Sequence, residues 1–233
     1  QLPRETLDRV AERFRDGAGR WVGTSGRTRV LAYNTDALAE EDVPDSVFDL
    51  TDPKWKGKVG IAPTNASFQA FVTAMRLSEG DEPTRAWLND LQDLHPKIYE
   101  KNTPIVEAAA SGEIDLGLVN HYYLYLVREE QPDAPIANHF LATGDPGALV
   151  SVAGAGVLQS AANGDGAREF VDFLLSDEGQ RFYTESAEEA EYPLVTGIPA
   201  EEGLPPLDTL EGPDVDLSTF SSELESTLEL LRE

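Results

Sequence analysis

The sequence predicts an α/β fold, because short β-prone runs alternate with amphipathic helical stretches over most of its length. Two segments carry that prediction. "KWKGKVGIAPTNASFQAFVTAMRL" and "KIYEKNTPIVEAAASGEIDLGLVN" each combine a short apolar strand with a longer helical pattern, and turn residues separate the two. Folds of this class bind ligands at the carboxyl ends of their strands.

Each element has its own signal. "TLDRVAERF" (6–14) places Leu7, Val10, Ala11 and Phe14 at helical spacing, and "GAG" ends the expected helix. Residues 21–35 read as extended, with Gly23 and Gly26 expected to break the first half. Residues 47–62 form a loop leading into a short strand at 58–62. A helix over 63–77 follows, with Thr64 and Asn65 as cap candidates and Phe68, Phe71, Val72 and Met75 on one face. "PTRAWLNDLQDL" is a second helix with Pro83 near its start. Then come strand, loop and helix, with Pro104 in the first helical turn, Gly112 closing it and a strand at 114–119. "YYLYLVREE" opens another helix. A strand-rich and turn-rich stretch leads to the amphipathic pair "GAREFVDFLLSDEGQRFYTE", and a capped helix ends the chain.

Composition narrows the function. The 233 residues are 40% hydrophobic, enough to bury the core of one large domain or two lobes. Acidic residues outnumber basic ones 43 to 18, for a formal net charge of −25, so nucleic acid and anionic membranes are poor partners. The acid is dispersed and lysines are few, the pattern of a protein adapted to concentrated salt, where screening lengths shrink to about 3 Å. With no cysteine there is no disulfide, thiolate metal site or cysteine nucleophile. No apolar run is long enough to span a bilayer, and the opening residues are too polar for a signal peptide.

Two features point to binding. Helix starts at Thr64–Ser67 and near Asn102–Ile105 follow short strands, and a helix N-terminus offers unpaired N–H groups and a positive dipole end to an anion. They also fit ordinary caps. "GLVNHYYLYLVREE" sets Tyr122, Tyr123 and Tyr125 within four positions. An aromatic helix face would explain them. Adjacent residues, however, sit about 100° apart on a helix, so Tyr122 and Tyr123 do not both face a core squarely. At a strand–helix junction their hydroxyls can converge on a cleft, where two phenolates suit a hard trivalent ion such as Fe³⁺. His121 reads as a turn or surface residue, not a ligand.

The segments "WVGTSGRTRVLAYN", "KWKGKVGIAPTNASF", "YEKNTPIVEAAASGEIDLGLVNHYYLY", "GAREFVDFLLSDEGQ" and "EYPLV", in this order, resemble the periplasmic or extracellular ferric-ion-binding proteins of ABC iron importers. The resemblance runs from about Trp21 to the C-terminal helix. It implies a two-lobed, type II periplasmic-binding-protein-like fold whose first lobe lacks its N-terminal part here. Residues 1–29 are then a remnant of that lobe and the hinge, 30–151 the second lobe with the tyrosine and anion site, 152–202 the return to the first lobe, and 203–233 a segment packing on the second. The resemblance places Tyr122 and Tyr123 on the iron ligands and Asn65, Ala66 and Ser67 on the turn that holds a synergistic anion, phosphate or carbonate. It places Asn102 and Asn120 on side-chain donors to that anion, and Arg27 on an arginine that some members direct at it. The turn reads Asn-Ala-Ser where the family usually has Ser-Gly-Ala, and nothing here matches the family's opening strand with its His or Tyr ligand or the acidic ligand after it.

The expected function is capture of ferric iron with its anion for an ABC transporter permease. The protein is expected to be a monomer without enzymatic activity, extracellular or periplasmic, and tethered to a membrane through a segment preceding this chain. A binder of another small ligand, such as an oxyanion or a polyamine, is the alternative. An extracellular hydrolase is disfavoured: there is no Gly-x-Ser-x-Gly, and His95, His121 and His139 lack zinc-ligand spacing.

Overall fold

The structure, a computed structural model, describes residues 1–185 and 190–232; residues 186–189, within the expected 152–202 segment, and Glu233 lie outside the described residues. The helices are α1 (Arg4–Leu7), α2 (Ala66–Glu79), α3 (Asp81–Asp93), α4 (Asn102–Ala110), α5 (Tyr123–Glu130), α6 (Gly164–Leu174), α7 (Asp177–Glu185) and α8 (Phe220–Leu230). The strands are β1 (Val22–Asn34), β2 (Val59–Ile61), β3 (Lys97–Ile98), β4 (Leu116–Asn120), β5 (Ile136–His139), β6 (Val150–Ala155) and β7 (Tyr192–Pro193). The chain forms two compact units. The first comprises residues 1–27, 151–209 and 216–218; the second comprises 28–150, 210–215 and 219 onward.

The second unit is built on a mixed sheet in the order β3-β2-β4-β1-β5. β2 runs parallel to β3 and β4, and β1 runs antiparallel to β4 and β5. Alternation along β1 feeds two cores. Leu31 and Tyr33 join Phe68, Phe71 and Met75 of α2 and Trp87 of α3, while Val30 and Ala32 join Ile105 and Val106 of α4 and Leu124 of α5. α4 lies so close to the sheet that a Cβ on Gly117 would stand 2.1 Å from Ile105 Cγ2, so the strand needs glycine there. α8 docks on α2 through buried polar groups: Thr73 and Thr227 hydroxyls meet at 2.8 Å, and Arg76 Nη1 donates to Thr227 Oγ1 and the Glu223 carbonyl.

In the first unit, β7 pairs antiparallel with the start of β1, β6 also pairs with β1, and α6 packs on α7. Three expectations need correction. The helix over 6–14 is only the single turn α1, because Val10 leaves it to bridge Val195 and Phe14 is buried in a separate 3-10 turn. Gly23 and Gly26 do not break β1, which runs unbroken for 13 residues. They let neighbours approach: a Cβ on Gly23 would lie 2.8 Å from the Phe14 carbonyl oxygen. Finally, α8 has no side-chain cap at Thr219. The capping oxygen is that of Asp216, one turn earlier, which accepts from the Ser218 N–H and hydroxyl.

Candidate metal and anion site

Sheet direction assembles this site. β3, β2 and β4 are mutually parallel, so α4, α2 and α5, which follow them, all begin along the same edge of the sheet. That edge collects Asn102 from α4, Asn65, Ala66 and Ser67 from the start of α2, Asn120 from the last position of β4, and Tyr122 and Tyr123 from the start of α5. The β1–β4 register places Arg29 opposite Asn120. All of these residues belong to the second unit.

Ser67 is the hub. Its Oγ accepts from Arg29 Nη1 at 2.9 Å and from Asn102 Nδ2 at 3.1 Å, and donates to Asn65 Oδ1 at 2.7 Å. Asn65 Oδ1 also accepts from the Ser67 N–H, so Asn65 is the N-cap of α2. The Ala66 N–H, at the first helical position, has no intrahelical acceptor. α4 starts without any side-chain cap. Asn120 Oδ1 accepts from Arg29 at 3.3 Å, which leaves Nδ2 as its donor. Asn102 is 1% exposed, and its Oδ1 has no hydrogen-bond partner among the described residues.

Tyr122 and Tyr123 are half-buried and stacked, ring centroids 4.3 Å apart at 29°. Tyr122 is the N-cap of α5, its carbonyl accepting from the Tyr125 N–H at 3.0 Å. Tyr125 lies within α5 and packs against the core. His121 lies in the turn between β4 and α5, as the turn reading expects, but not at the surface. It is fully buried, and its Nδ1 accepts from the Thr28 N–H at 3.3 Å while its carbonyl accepts from Asn138 Nδ2. The His121 ring stands edge-on to Tyr122, with centroids 5.9 Å apart.

Arg29 was not singled out from the sequence. Only 2% exposed, it also donates from Nη2 to the Leu118 carbonyl at 2.6 Å. No carboxylate pairs with it among the described residues. Burial pulls its guanidinium down to about 9, while negative charge on Tyr123 and Tyr122 acts in the opposite direction. Both phenol groups are therefore within electrostatic reach of Arg29. Arg27 falls in the first unit, where its Nε donates to Glu191 Oε1 at 2.7 Å. Glu191 is 2% exposed and also accepts from the Ser25 hydroxyl. The sequence signal for Arg29 was a lone charge entering the apolar run "RVLAY", on which burial is the default.

Among the described residues no three His, Asp or Glu side chains converge as metal ligands. A metal at this edge would therefore use the phenol oxygens, which favour a hard, highly charged ion.

The pattern of the family described as bacterial extracellular solute-binding protein matches residues 1–216. The chain belongs to that family. The major ferric iron-binding protein of Neisseria meningitidis serogroup B is 40% identical over 209 residues, covering 89% of this chain and 62% of the relative. This chain thus spans less than two thirds of that relative's length. Iron-bound HitA from Pseudomonas aeruginosa superposes with a TM-score of 0.91 at 38% identity, over all of this chain and 74% of HitA. A Trichodesmium protein (IdiA, FutA) in complex with iron and citrate gives 0.87 at 27% identity, over 99% of this chain and 75% of that one. The solute-binding protein of this family has the type II periplasmic-binding fold.

Proposed function

We propose that this solute-binding protein captures ferric iron, with Tyr122 and Tyr123 as the ligands that this chain's second unit contributes. The observation that carries the reading is the stacked Tyr122–Tyr123 pair beside the Arg29–Ser67–Asn120–Asn102 cluster, at an edge where three helices begin. Binding replaces two phenolic protons by the metal. A synergistic oxyanion, phosphate or carbonate, is held by the Ala66 N–H, the amides of Asn102 and Asn120, and Arg29. Asn65 and Ser67 shape that turn. The ferric-iron relatives support the cargo. The protein acts outside the cytoplasm as a monomer and passes its cargo to an ABC permease, breaking no bonds in it. Among the described residues no helix is long and apolar enough to cross a membrane. The two units are read as the second lobe and part of the first.

Titration with ferric citrate tests this. Charge transfer from tyrosinate to Fe³⁺ should give a visible band that Tyr122→Phe and Tyr123→Phe each weaken or shift, while Tyr125→Phe leaves it alone. No band, or equal loss with Tyr125→Phe, overturns the assignment. The second reading, a plain oxyanion binder, is favoured by the carboxylate-free Arg29, and it predicts phosphate binding without colour. The same buried cation disfavours a polyamine.

A further inference from the structure

We propose that His121 is a positioning residue for the Tyr122–Tyr123 pair: its imidazole takes the place of its own backbone carbonyl in the β1–β4 ladder, and this lets the chain turn out of β4 with both phenols at the site edge. The proposal rests on the ferric-iron reading above and gives a role to a residue outside the ligand pair.

In an antiparallel ladder, the two residues of a hydrogen-bonded pair exchange both N–H···O=C bonds. The β1–β4 register sets Val30 opposite Val119 and Arg29 opposite Asn120, so the next step brings Thr28 opposite His121. Half of the expected exchange is present: the His121 N–H donates to the Thr28 carbonyl at 3.0 Å. The other half is altered. The Thr28 N–H donates at 3.3 Å to His121 Nδ1, and the His121 carbonyl accepts instead from Asn138 Nδ2 of β5 at 2.7 Å. The side chain has replaced the main-chain acceptor of its own residue. Thr28, His121 and Asn138 all belong to the second unit.

Burial makes the replacement necessary. Thr28 is 1% exposed and His121 is fully buried, so a Thr28 N–H without an acceptor would have no water to turn to. Nδ1 supplies that acceptor while the His121 carbonyl turns away from β1. Tyr122 follows at once with helical φ −70° and ψ −20°, and its carbonyl already accepts from the Tyr125 N–H. A single residue therefore separates the last ladder bond from the first helical bond, and it is held at its N–H, its ring and its carbonyl. The Asn138 Oδ1 is buried without a partner among the described residues, so the bond to His121 is what that amide contributes. Two phenol oxygens serve one metal only when their supports hold them to a fraction of an ångström. Tyr122 is the neighbour of the clamped residue, so loosening His121 shifts a ligand ring directly, and the stacked Tyr123 ring with it.

The test is ferric citrate titration followed by the visible band, with urea unfolding of the same variants. His121→Asn offers an Oδ1 acceptor to the Thr28 N–H from nearly the same place, and should keep the band position and hold iron retention within about twofold. His121→Leu fills the space without an acceptor. Its band should shift or weaken and its iron retention fall about tenfold, the scale of one unsatisfied buried donor. Asn138→Leu removes the donor to the His121 carbonyl and should change the band in the same direction; it decides the question if His121→Leu does not fold. An unchanged band and retention in folded His121→Leu or in Asn138→Leu, whatever the urea midpoint, makes the clamp merely structural and overturns the proposal. Equal loss in His121→Asn and His121→Leu overturns it too, because the acceptor is then not what matters. Absence of colour in the unaltered protein sinks the ferric reading and this proposal with it, whereas colour that none of the three variants changes sinks only the proposal.

Discussion

Arg27 and Arg29 stand two residues apart on one strand, and the fold treats them oppositely. In the first unit, Arg27 is neutralised by a carboxylate that is itself buried and doubly hydrogen-bonded. In the second, Arg29 is more deeply buried and given only neutral acceptors. Burying a paired charge makes structure; burying an unpaired one stores an electrostatic demand that a ligand can meet. The contrast teaches that residue type and strand position do not identify a binding arginine. The decisive fact is whether the protein has already supplied its counter-charge.

The comparison breaks most visibly at Glu191. Glu191→Gln keeps the shape of the side chain but leaves Arg27 without its charge partner. The expected cost is about 2 kcal/mol, the range of hydrogen bonds to charged groups, read as a lower midpoint in urea unfolding. If stability is unchanged, Arg27–Glu191 is no more structural than Arg29, and the contrast collapses. The second unit has its own mechanical weak point. Gly117→Ala forces Ile105 and α4 away from the sheet edge where the site forms. Overpacking of this kind costs about 1–3 kcal/mol. Because α4 carries Asn102, the gain in iron retention from added phosphate should shrink with it while the tyrosine band survives, a split that iron titration with and without phosphate reads directly.

Much of this was legible in the sequence, for a physical reason. In the second unit, helix starts follow short strands within a few residues, so Asn65 and Tyr122–Tyr123 could be placed from periodicity and cap chemistry alone. Their convergence at one edge depends on β3, β2 and β4 being parallel, which an α/β pattern favours. In the first unit the signals conflicted. Leu7, Val10 and Phe14 have helical spacing, yet Val10 is taken by a bridge to Val195, 185 positions on, and long-range pairing of that kind overrides local propensity. Gly23 and Gly26 looked like strand breakers because their purpose, close approach by the Phe14 carbonyl and the segment around Tyr192, is tertiary. Arg29 escaped for the same reason: the absence of a carboxylate partner is a property of the fold, invisible in "GRTRV".

Two buried aspartates extend the comparison to pH, with opposite signs. In the first unit, Asp16 accepts from Arg20 through both carboxylate oxygens and from the Arg20 N–H, and these bonds hold its carboxyl at about 2. Its folded value lies below its unfolded one, so its stabilisation is present above the ordinary carboxylate range and is lost as pH falls from near 4 toward 2. In the second unit, burial raises Asp145, although the Ser46 hydroxyl and the Val47 and Gly147 N–H groups pull it back. A raised carboxyl contributes stability below its unfolded value and loses it as pH rises through the folded one. Urea midpoints of Asp16→Asn should therefore fall relative to the unaltered protein near neutrality and converge with it toward pH 2. Those of Asp145→Asn should be relatively worst at low pH and recover as pH rises. Parallel curves for the two variants would contradict the assignment.

Salt probes the smallest expected difference, between the protein's surface and its site. A net charge of −25 stores self-repulsion that weakens as the Debye length falls from about 10 Å at 0.1 M to about 3 Å at 1 M. On the halophilic reading we propose, the melting temperature rises across that range in KCl, since acidic side chains are spread over the whole sequence. The contacts of Arg29 lie below the surface and act over 2.6–3.3 Å, distances at which mobile ions screen little. The phosphate-dependent gain in iron retention should therefore change by less than about threefold from 0.1 to 1 M KCl. Melts and citrate competition run over the same salt series check both halves. A flat or falling melting temperature removes the halophile reading. A phosphate gain that disappears at 1 M KCl moves the anion's main contact from the buried arginine to an exposed charge, and with it the distinction between the two arginines.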